Sequence, residues 1–187
     1  MNGLTSISQM SRDGLLALCA EATEIAAGAT VGTVPGKLVA PLFFRSSGEA
    51  RLRLAAGAAT LGVHLLDPDR VWPGFPGGTD LLEAVHAVAR HADLVVLRHP
   101  VEGAPRRLSE EGIPVLNAGD GSRGDPFSGL VALHGLTLAV GDLSGRTIAV
   151  CGDLRRNPVV HAVMRGLALL GARILLVPAE SGEMPEA

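Results

Sequence analysis

The chain has 187 residues, 47% of them hydrophobic, and a mean hydropathy of +0.32, which is enough apolar material for a well-filled core. Its formal net charge of −3 and pI near 6.0 give no electrostatic reason to expect nucleic acid or an anionic membrane surface as a partner. No apolar run reaches about 18 residues and the N-terminus lacks a signal pattern, so we expect a soluble, cytoplasmic protein.

Helical and strand-like patterns alternate along the first three quarters of the chain. The predicted helices cover residues 11–28, 48–62, 79–92, 101–111 and 125–141. The predicted strands cover residues 37–44, 63–67, 93–99 and 113–119. Between them, residues 67–78 hold Pro68, Pro73 and Pro76 among glycines, which predicts an irregular, flexible loop.

The pattern restarts after Gly141 with a strand over residues 146–154, a helix over 157–171 and a strand over 172–178, which is one βαβ unit. The alternation predicts an α/β fold: a parallel sheet with helices on both faces, followed by the first βαβ unit of a second doubly wound domain. A sheet of two strands has a bare edge, so we expect either that another polypeptide covers it or that the chain is a fragment.

Several residue types limit the chemistry that this chain can perform. Cys19 and Cys151 have no metal-ligand neighbours in the sequence, and we expect both to be buried free thiols and no metal site. The segment CGDLRRNP lacks the GxGxxG spacing, so no dinucleotide cofactor is expected. Lys37 is the only lysine, so a mechanism that needs a mobile ammonium group has one candidate.

Ligands of parallel sheets collect at the carboxyl ends of the strands. There, Ser47 begins a helix and Arg98 ends a strand, a pair that could bind a phosphate or carboxylate through backbone N–H groups and a bidentate guanidinium. The alternative is that Arg98 pairs with a local carboxylate, Glu102 or Asp125. Of the six histidines only His99 lies at a strand end.

Four stretches carry a family resemblance: FFRSSGEARLRLAAGAATLGVHLL, VVLRHPVEGAPRRL, IPVLNAGDGSRGDPFSGLVAL and IAVCGDLRRNPVVHAVMRGLALLGARILLVPAE. In order and spacing they resemble the aspartate carbamoyltransferases over residues 8–185. The resemblance implies a carbamoyl-phosphate-binding domain over residues 1–139 and an incomplete aspartate-binding domain over residues 140–187. It further implies pyrimidine biosynthesis, no cofactor and a trimer-like oligomer. Because such two-domain enzymes have roughly three hundred residues, we expect about the last third of the family's length to be absent.

The match fails at the family's phosphate loop, FFxxSTRTR. Ser47 stands in the serine position, but Gly48, Glu49 and Ala50 replace the Thr-Arg-Thr that follows. Glu49 therefore puts a negative charge where a dianion should bind, and like charges about 4 Å apart repel by on the order of 1 kcal/mol even in water. We expect weak binding there.

Other ligand positions implied by the resemblance are also replaced. The family's His-Pro-Thr-Gln run is Asp125, Pro126, Phe127 and Ser128, and an ionised Asp cannot donate a hydrogen bond to a carbonyl. The loop that carries a lysine to a neighbouring subunit is matched by WPGFPGGT, without lysine, and an expected arginine is Pro158.

Three readings follow from these departures. The first is a non-catalytic subunit or paralogue that retains Ser47 and Arg98, has no catalytic residue, and forms a homo- or hetero-oligomer, for example with an active carbamoyltransferase. The second is a diverged transferase acting on another small anion, whose rewritten site is made of Glu49, Arg51, Asp125 and Ser128. The alternative to this rewritten site is that the carboxylates of Glu49 and Asp125 are solvated charges on loops. The third is a truncated carbamoyltransferase. We expect loss of the parent reaction.

Overall fold

The computed structural model of the chain describes residues 3–68 and 81–179. Contacts divide it into two compact units: unit 1 comprises Met1–Thr5 and Thr30–Ala118, and unit 2 comprises Ser6–Ala29 and Gly119–Ala187. This division differs from the boundary predicted between residues 139 and 140, because a helix near the N-terminus packs with the later helices. The predicted boundary instead follows the change from the first sheet to the second, and it stays a prediction.

Seven strands and six α-helices are described. The strands are β1 (Gly3–Leu4), β2 (Leu38–Phe43), β3 (His64–Leu65), β4 (Leu94–His99), β5 (Val115–Asp120), β6 (Thr147–Gly152) and β7 (Arg173–Pro178). The helices are α1 (Arg12–Ala26), α2 (Gly48–Leu61), α3 (Leu81–Ala89), α4 (Ala104–Glu110), α5 (Pro126–Val140) and α6 (Pro158–Leu169). A short 3₁₀ helix covers Ile7–Gln9.

Strands β1 to β5 form one sheet, with the order β1-β5-β4-β2-β3, and β2 pairs in parallel with both β3 and β4. Three consecutive residues of β4, Val95, Val96 and Leu97, are at most 1% exposed. Because successive side chains of a strand point to opposite faces, both faces of β4 are covered. The predicted α/β fold with a helix-flanked parallel sheet is confirmed.

The core of unit 1 joins this sheet to α3 and α4. Its members are buried apolar side chains of β2, β4, β5 and the loop before β5, together with those of the two helices: Ala40, Leu42, Val85, Val88, Val95, Leu97, Ala104, Leu108, Ile113 and Val115. The consecutive apolar residues of LVVL and the branched side chains at these positions suit a strand buried on both faces.

A carboxylate fixes the register of β2 against β4. Asp93 Oδ1 accepts a hydrogen bond from Lys37 Nζ at 2.6 Å, and Asp93 Oδ2 accepts one from the Leu38 backbone N–H at 2.9 Å. The Asp93 N–H donates to the Leu38 carbonyl at 2.8 Å. The two strands then pair residue by residue, from Val39 opposite Leu94 to Phe43 opposite Arg98 at their carboxyl ends.

Unit 2 contains the parallel pair β6–β7 and the helices α1, α5 and α6. Its core is formed by apolar side chains of the three helices and the adjoining loops: Ile7, Leu15, Cys19, Leu133, Leu143, Ala162, Leu167 and Leu170. α5 and α6 are in close contact at Gly129. A Cβ atom built on this residue would lie 2.6 Å from the Cβ of Ala162. The small residue at position 129 is therefore what permits this helix contact.

The local signals for helix ends are largely confirmed. Ser11 is the N-cap of α1, with Oγ accepting from the Gly14 N–H at 3.0 Å. Gly62 ends α2 in the left-handed conformation, with φ of 67°. The predicted irregular loop over residues 67–78 and the predicted start of the helix over residues 79–92 lie almost wholly outside the described residues.

One cysteine prediction is wrong. Cys19 is buried as expected, but Cys151 is exposed. Exposure alternates along β6, and Cys151 lies on the same face as Thr147 and Ala149, which are also exposed. The expectation rested on the frequent burial of free cysteines, whereas this face of the two-stranded sheet is exposed.

Among the described residues, no helix combines the length and apolar character needed to cross a membrane. Within residues 3–68 and 81–179, no three His, Cys, Asp or Glu side chains are grouped as a metal ion would require.

We predict that Gly129→Ala lowers the free energy of unfolding by about 1–3 kcal/mol, because the new methyl group overlaps Ala162, which has no other rotamer to adopt. Gly135→Ala, on the same helix, is the matched control: its Cβ meets nothing within 4 Å, so helix propensity should add up to about 1 kcal/mol. Urea unfolding followed by circular dichroism measures both. Equal effects of the two substitutions would contradict the close helix contact.

We predict that Asp93 stabilises unit 1 in a pH-dependent way. The hydrogen bond from Lys37, and then that from the Leu38 N–H, lower the pKa of Asp93 below its usual value. Because the pKa of this carboxyl is lower in the folded state, its stabilisation is fully present above the unfolded-state pKa of about 3.9. It is lost as the pH falls through the folded-state pKa. The difference in urea midpoint between the wild type and Asp93→Asn should therefore shrink as the pH is lowered from neutral through this range. A difference independent of pH would rule this out.

Candidate functional site

The first candidate segment joins β2 to α2 in unit 1. β2 ends at Phe43, and the Phe44 N–H extends the ladder by donating to the Arg98 carbonyl at 2.9 Å. Ser47 follows with an extended backbone and is the N-cap of α2, its Oγ accepting from the Ala50 N–H at 3.4 Å. The hydroxyl that the resemblance assigns to a phosphate ligand thus caps its own helix.

Glu49 lies in the first turn of α2 and pairs with Arg53 four residues later. The side chain of Glu49 is 76% exposed. A carboxylate near a helix N-terminus is favourable, and the i,i+4 spacing favours the ion pair, so Glu49 has a structural role that needs no ligand. This spacing is visible in the sequence and could have identified Arg53 as its partner.

Arg51 faces different partners from those of Glu49. Its guanidinium carbon lies 4.9 Å from the centre of the Phe43 ring, and its Nη1 lies 3.8 Å from Asp67 Oδ2. A cation over an aromatic ring and a nearby carboxylate both hold the guanidinium against unit 1. The structure therefore does not bring Arg51 and Glu49 together as one pair.

Arg98 and His99 end β4 beside this segment. Arg98 Nη1 donates a hydrogen bond to the Ala118 carbonyl of β5, which ties the ends of two neighbouring strands. His99 packs edge-on against Phe44, with ring centres 4.9 Å apart, and its Nδ1 accepts from the Val101 N–H at 3.0 Å. Burial lowers the pKa of His99, in the direction that favours the unprotonated Nδ1 that accepts this hydrogen bond. His99 thus shapes the turn after β4.

The second candidate segment, in unit 2, begins α5. Asp125 is 2% exposed and is the N-cap of this helix. Its Oδ1 accepts from the Ser128 N–H at 2.8 Å, and its Oδ2 accepts from the Ser128 hydroxyl at 3.0 Å. The predicted helix start at residues 125–126 is confirmed, and what the sequence analysis did not assign is the role of the Asp125 side chain as its cap. The structure brings Asp125 and Ser128 together as a cap.

The backbone around Asp125 is tied to α6. Its N–H donates to the Pro158 carbonyl at 3.1 Å, so Pro158, which stands where the resemblance implies an arginine, lies beside the residue that stands where it implies a histidine. Proline has neither a backbone donor nor a polar side chain. In unit 2, the two positions that the resemblance assigns to substrate thus present a carboxylate bound to Ser128 and a proline ring.

The comparisons with known proteins agree on one family. Residues 2–136 match the family model described as "Aspartate/ornithine carbamoyltransferase, carbamoyl-P binding domain". The aspartate carbamoyltransferase catalytic subunit of Archaeoglobus fulgidus is 31% identical over 192 aligned positions, covering 100% of this chain and 64% of that protein. The catalytic subunit of Chromobacterium violaceum is 33% identical, covering 98% of this chain and 61% of that protein.

Solved structures show the same likeness. Aspartate transcarbamoylase from Trypanosoma cruzi, in complex with carbamoyl aspartate and phosphate, has a TM-score of 0.86 at 27% identity, covering 98% of this chain and 62% of that one. The M. jannaschii catalytic subunit has a TM-score of 0.83 at 28% identity, covering 100% of this chain and 63% of that one. This chain spans about three fifths of the length of these relatives. It belongs to the aspartate/ornithine carbamoyltransferase family.

Proposed function

We propose that this chain is a non-catalytic member of its family, which has lost carbamoyl transfer and acts as a subunit or paralogue in an oligomer. The proposal rests on the contacts that Glu49 and Asp125 make. Glu49 is paired with Arg53, and Asp125 is bonded to Ser128. Each replacement stabilises a helix start instead of presenting a group to a substrate.

Electrostatics oppose binding of a phosphate dianion at α2. Glu49 lies two residues after Ser47, in the helix turn whose N–H groups would face the anion. Repulsion between unit charges about 4 Å apart is on the order of 1 kcal/mol in water and about 4 kcal/mol at the effective dielectric of a protein surface. Arg53 offsets part of this repulsion, but it stands one turn further along the helix. The retained Ser47 and Arg98 are the proposed remnants of the anion site.

At positions 125 and 158 the second unit lacks the donors that the resemblance implies for acyl transfer. A developing oxyanion is stabilised by hydrogen-bond donors, and an ionised carboxylate at position 125 can only accept. Pro158 offers no donor at its position. A carbamoyl group placed near these residues would meet an acceptor and an apolar ring, so catalysis by the family's route is not supported.

The rewritten-site alternative, a transferase for a different small anion, has less support. It needs Glu49, Arg51, Asp125 and Ser128 to act on one substrate. Each of these side chains already has a partner in its own unit that accounts for its position. A paired or capping carboxylate is an ordinary structural feature, so no observation on these residues calls for a new reaction.

An oligomer is part of the proposal because the relatives are catalytic subunits and because unit 1 exposes large apolar side chains next to the inherited segments. Leu52 on α2 is 73% exposed and Val101 after β4 is 60% exposed. Exposed apolar groups next to a former site suit burial against another subunit. The proposed partner is an active carbamoyltransferase or a related enzyme. Native mass spectrometry of the complex purified from its own cells tests this, and a chain that remains monomeric at micromolar concentration counts against it.

We predict that carbamoyl phosphate binds with a dissociation constant above about 1 mM, or not at all, in isothermal titration calorimetry. Mixing the protein with carbamoyl phosphate and aspartate should release no phosphate above the uncatalysed rate. Glu49→Arg should strengthen anion binding by removing the repulsion, whereas Glu49→Gln, the matched control, should strengthen it less. Neither variant should turn over, because Asp125 and Pro158 remain. Measurable turnover by the wild type would overturn the proposal.

We predict that Asp125→Ala lowers the free energy of unfolding by about 0.5–2 kcal/mol through loss of the α5 cap, whereas Asp125→Asn, which keeps an acceptor, costs less. Glu49→Gln is the exposed control and should change stability by less than about 0.5 kcal/mol. Chemical unfolding curves give these values. If Asp125→Ala leaves stability unchanged, the carboxylate is held for another purpose and the rewritten-site alternative regains support.

A further inference from the structure

Helix α5 of unit 2 differs in composition from the other five described α-helices. Its sequence, PFSGLVALHGLTLAV, contains no charged residue, whereas each of the others contains at least one. A helix that is apolar all round is normally buried on every side. α5 is not, because Val131 is 49% exposed and Leu138 is 58% exposed.

The exposed side of α5 is apolar along its length. Its members are separated by three or four residues and therefore lie on one side of the helix. We call them the α5 outer face: Val131, Ala132, Gly135, Leu138 and Ala139.

The polar side chains of α5 serve other contacts. The Ser128 hydroxyl donates to Asp125 Oδ2 at 3.0 Å, and the Thr137 hydroxyl donates to the His134 carbonyl at 2.8 Å. His134 Nε2 lies 3.0 Å from Thr23 Oγ1 of α1. Each of these groups has a partner within unit 2, so none of them adds a polar group to the α5 outer face.

Two cavities lie beside the α5 outer face. Val131 lines a cavity of 160 Å³, Leu138 lines one of 580 Å³, and Cys19 of α1 lines both. Val131 and Leu138 are seven residues apart, which is about 10 Å along a helix. Apolar side chains at positions i and i+7 of an incoming helix have this spacing.

The α5 outer face carries the same spacing itself. Gly135 lies between Val131 and Leu138, and a Cβ atom built there meets nothing within 4 Å, so a second helix can approach closely. If two copies of α5 cross antiparallel with Gly135 on a twofold axis, residues three positions from the axis face each other, as do residues four positions away. Leu138 of each copy then lies opposite Ala132 of the other, and Val131 lies opposite Ala139.

We propose that the α5 outer face pairs with the same face of a second copy of this chain, as an antiparallel, twofold-symmetric helix pair. A twofold interface needs a self-complementary surface. On this face large side chains meet small ones, and no charge meets its like.

The size of the face sets the strength of the pairing. A helix of 15 residues is about 22 Å long. One pair of such helices buries less than the roughly 1,200 Å² at which stable interfaces begin, so we expect a reversible dimer with a dissociation constant on the order of micromolar. The face begins after the replaced residues 125–128, and the pairing holds whether or not carbamoyl transfer has been lost.

Sedimentation velocity of the full chain, over concentrations from about 1 to 100 μM, tests the pairing. Leu138→Glu should raise the dimer dissociation constant at least about tenfold, because a carboxylate would be buried against an apolar helix, and Leu138→Ala should raise it less. Leu52→Glu, on α2 of unit 1, is the matched control at an even more exposed leucine and should change it by less than about twofold. A wild type that stays monomeric leaves the face to a different polypeptide and overturns the proposal, as do equal effects of Leu138→Glu and Leu52→Glu.

Cysteine cross-linking tests the geometry of the pair. Gly135→Cys and Ala139→Cys are each introduced together with Cys151→Ser, since Cys151 is exposed. Two copies of position 135 meet at the axis, whereas two copies of position 139 lie about 12 Å apart along the helices, beyond the roughly 7 Å that a disulfide spans between Cα atoms. Under mild oxidation Gly135→Cys should give a disulfide-linked dimer, and Ala139→Cys should give at most about a tenth of that yield. Equal yields, or a wild-type dimer whose Gly135→Cys chains do not cross-link, would show that the copies meet elsewhere.

Discussion

The parallel ladder between β2 and β4 is the interaction on which unit 1 depends. Asp93 sets its register through Lys37 and the Leu38 N–H, and a shift of one residue would turn every buried side chain of the strand to the opposite face. Because the register is fixed at this end, the strands finish together, with Phe43 opposite Arg98. The helix start at Ser47 and the turn at His99 both take their positions from that common edge.

Two pairs of residues that include ligand positions implied by the resemblance stabilise the fold directly. A ligand-binding side chain adds little to stability when its ligand is absent, whereas a helix cap or an i,i+4 pair stabilises the folded chain directly. Asp125 with Ser128 and Glu49 with Arg53 are contacts of this second kind. The core beneath, with Leu42, Val95 and Leu97 at most 1% exposed, does not depend on either substitution.

Sequence reasoning succeeded where one local pattern decides the structure. The alternation of apolar strands and helices predicted the α/β fold, and Ser11 and Gly62 marked helix ends correctly. It failed where contacts between residues far apart in the sequence decide the structure. β1 has two residues and exists only because Gly3 and Leu4 pair with β5, and the exposure of Cys151 depends on what covers β6. The role of Asp125 as a cap could have been predicted locally, because Asp is a preferred N-cap and Pro126 follows it in the first turn.

The single lysine gives this fold an unusual relation to covalent modification. Acylation of a side-chain amine in this chain can occur only at Lys37, whose side chain is 59% exposed and whose ammonium lies 2.6 Å from Asp93. An acyl group there removes the charge that faces the carboxylate. Side-chain acylation of this protein therefore acts on one ion pair, at the start of the pairing between β2 and β4.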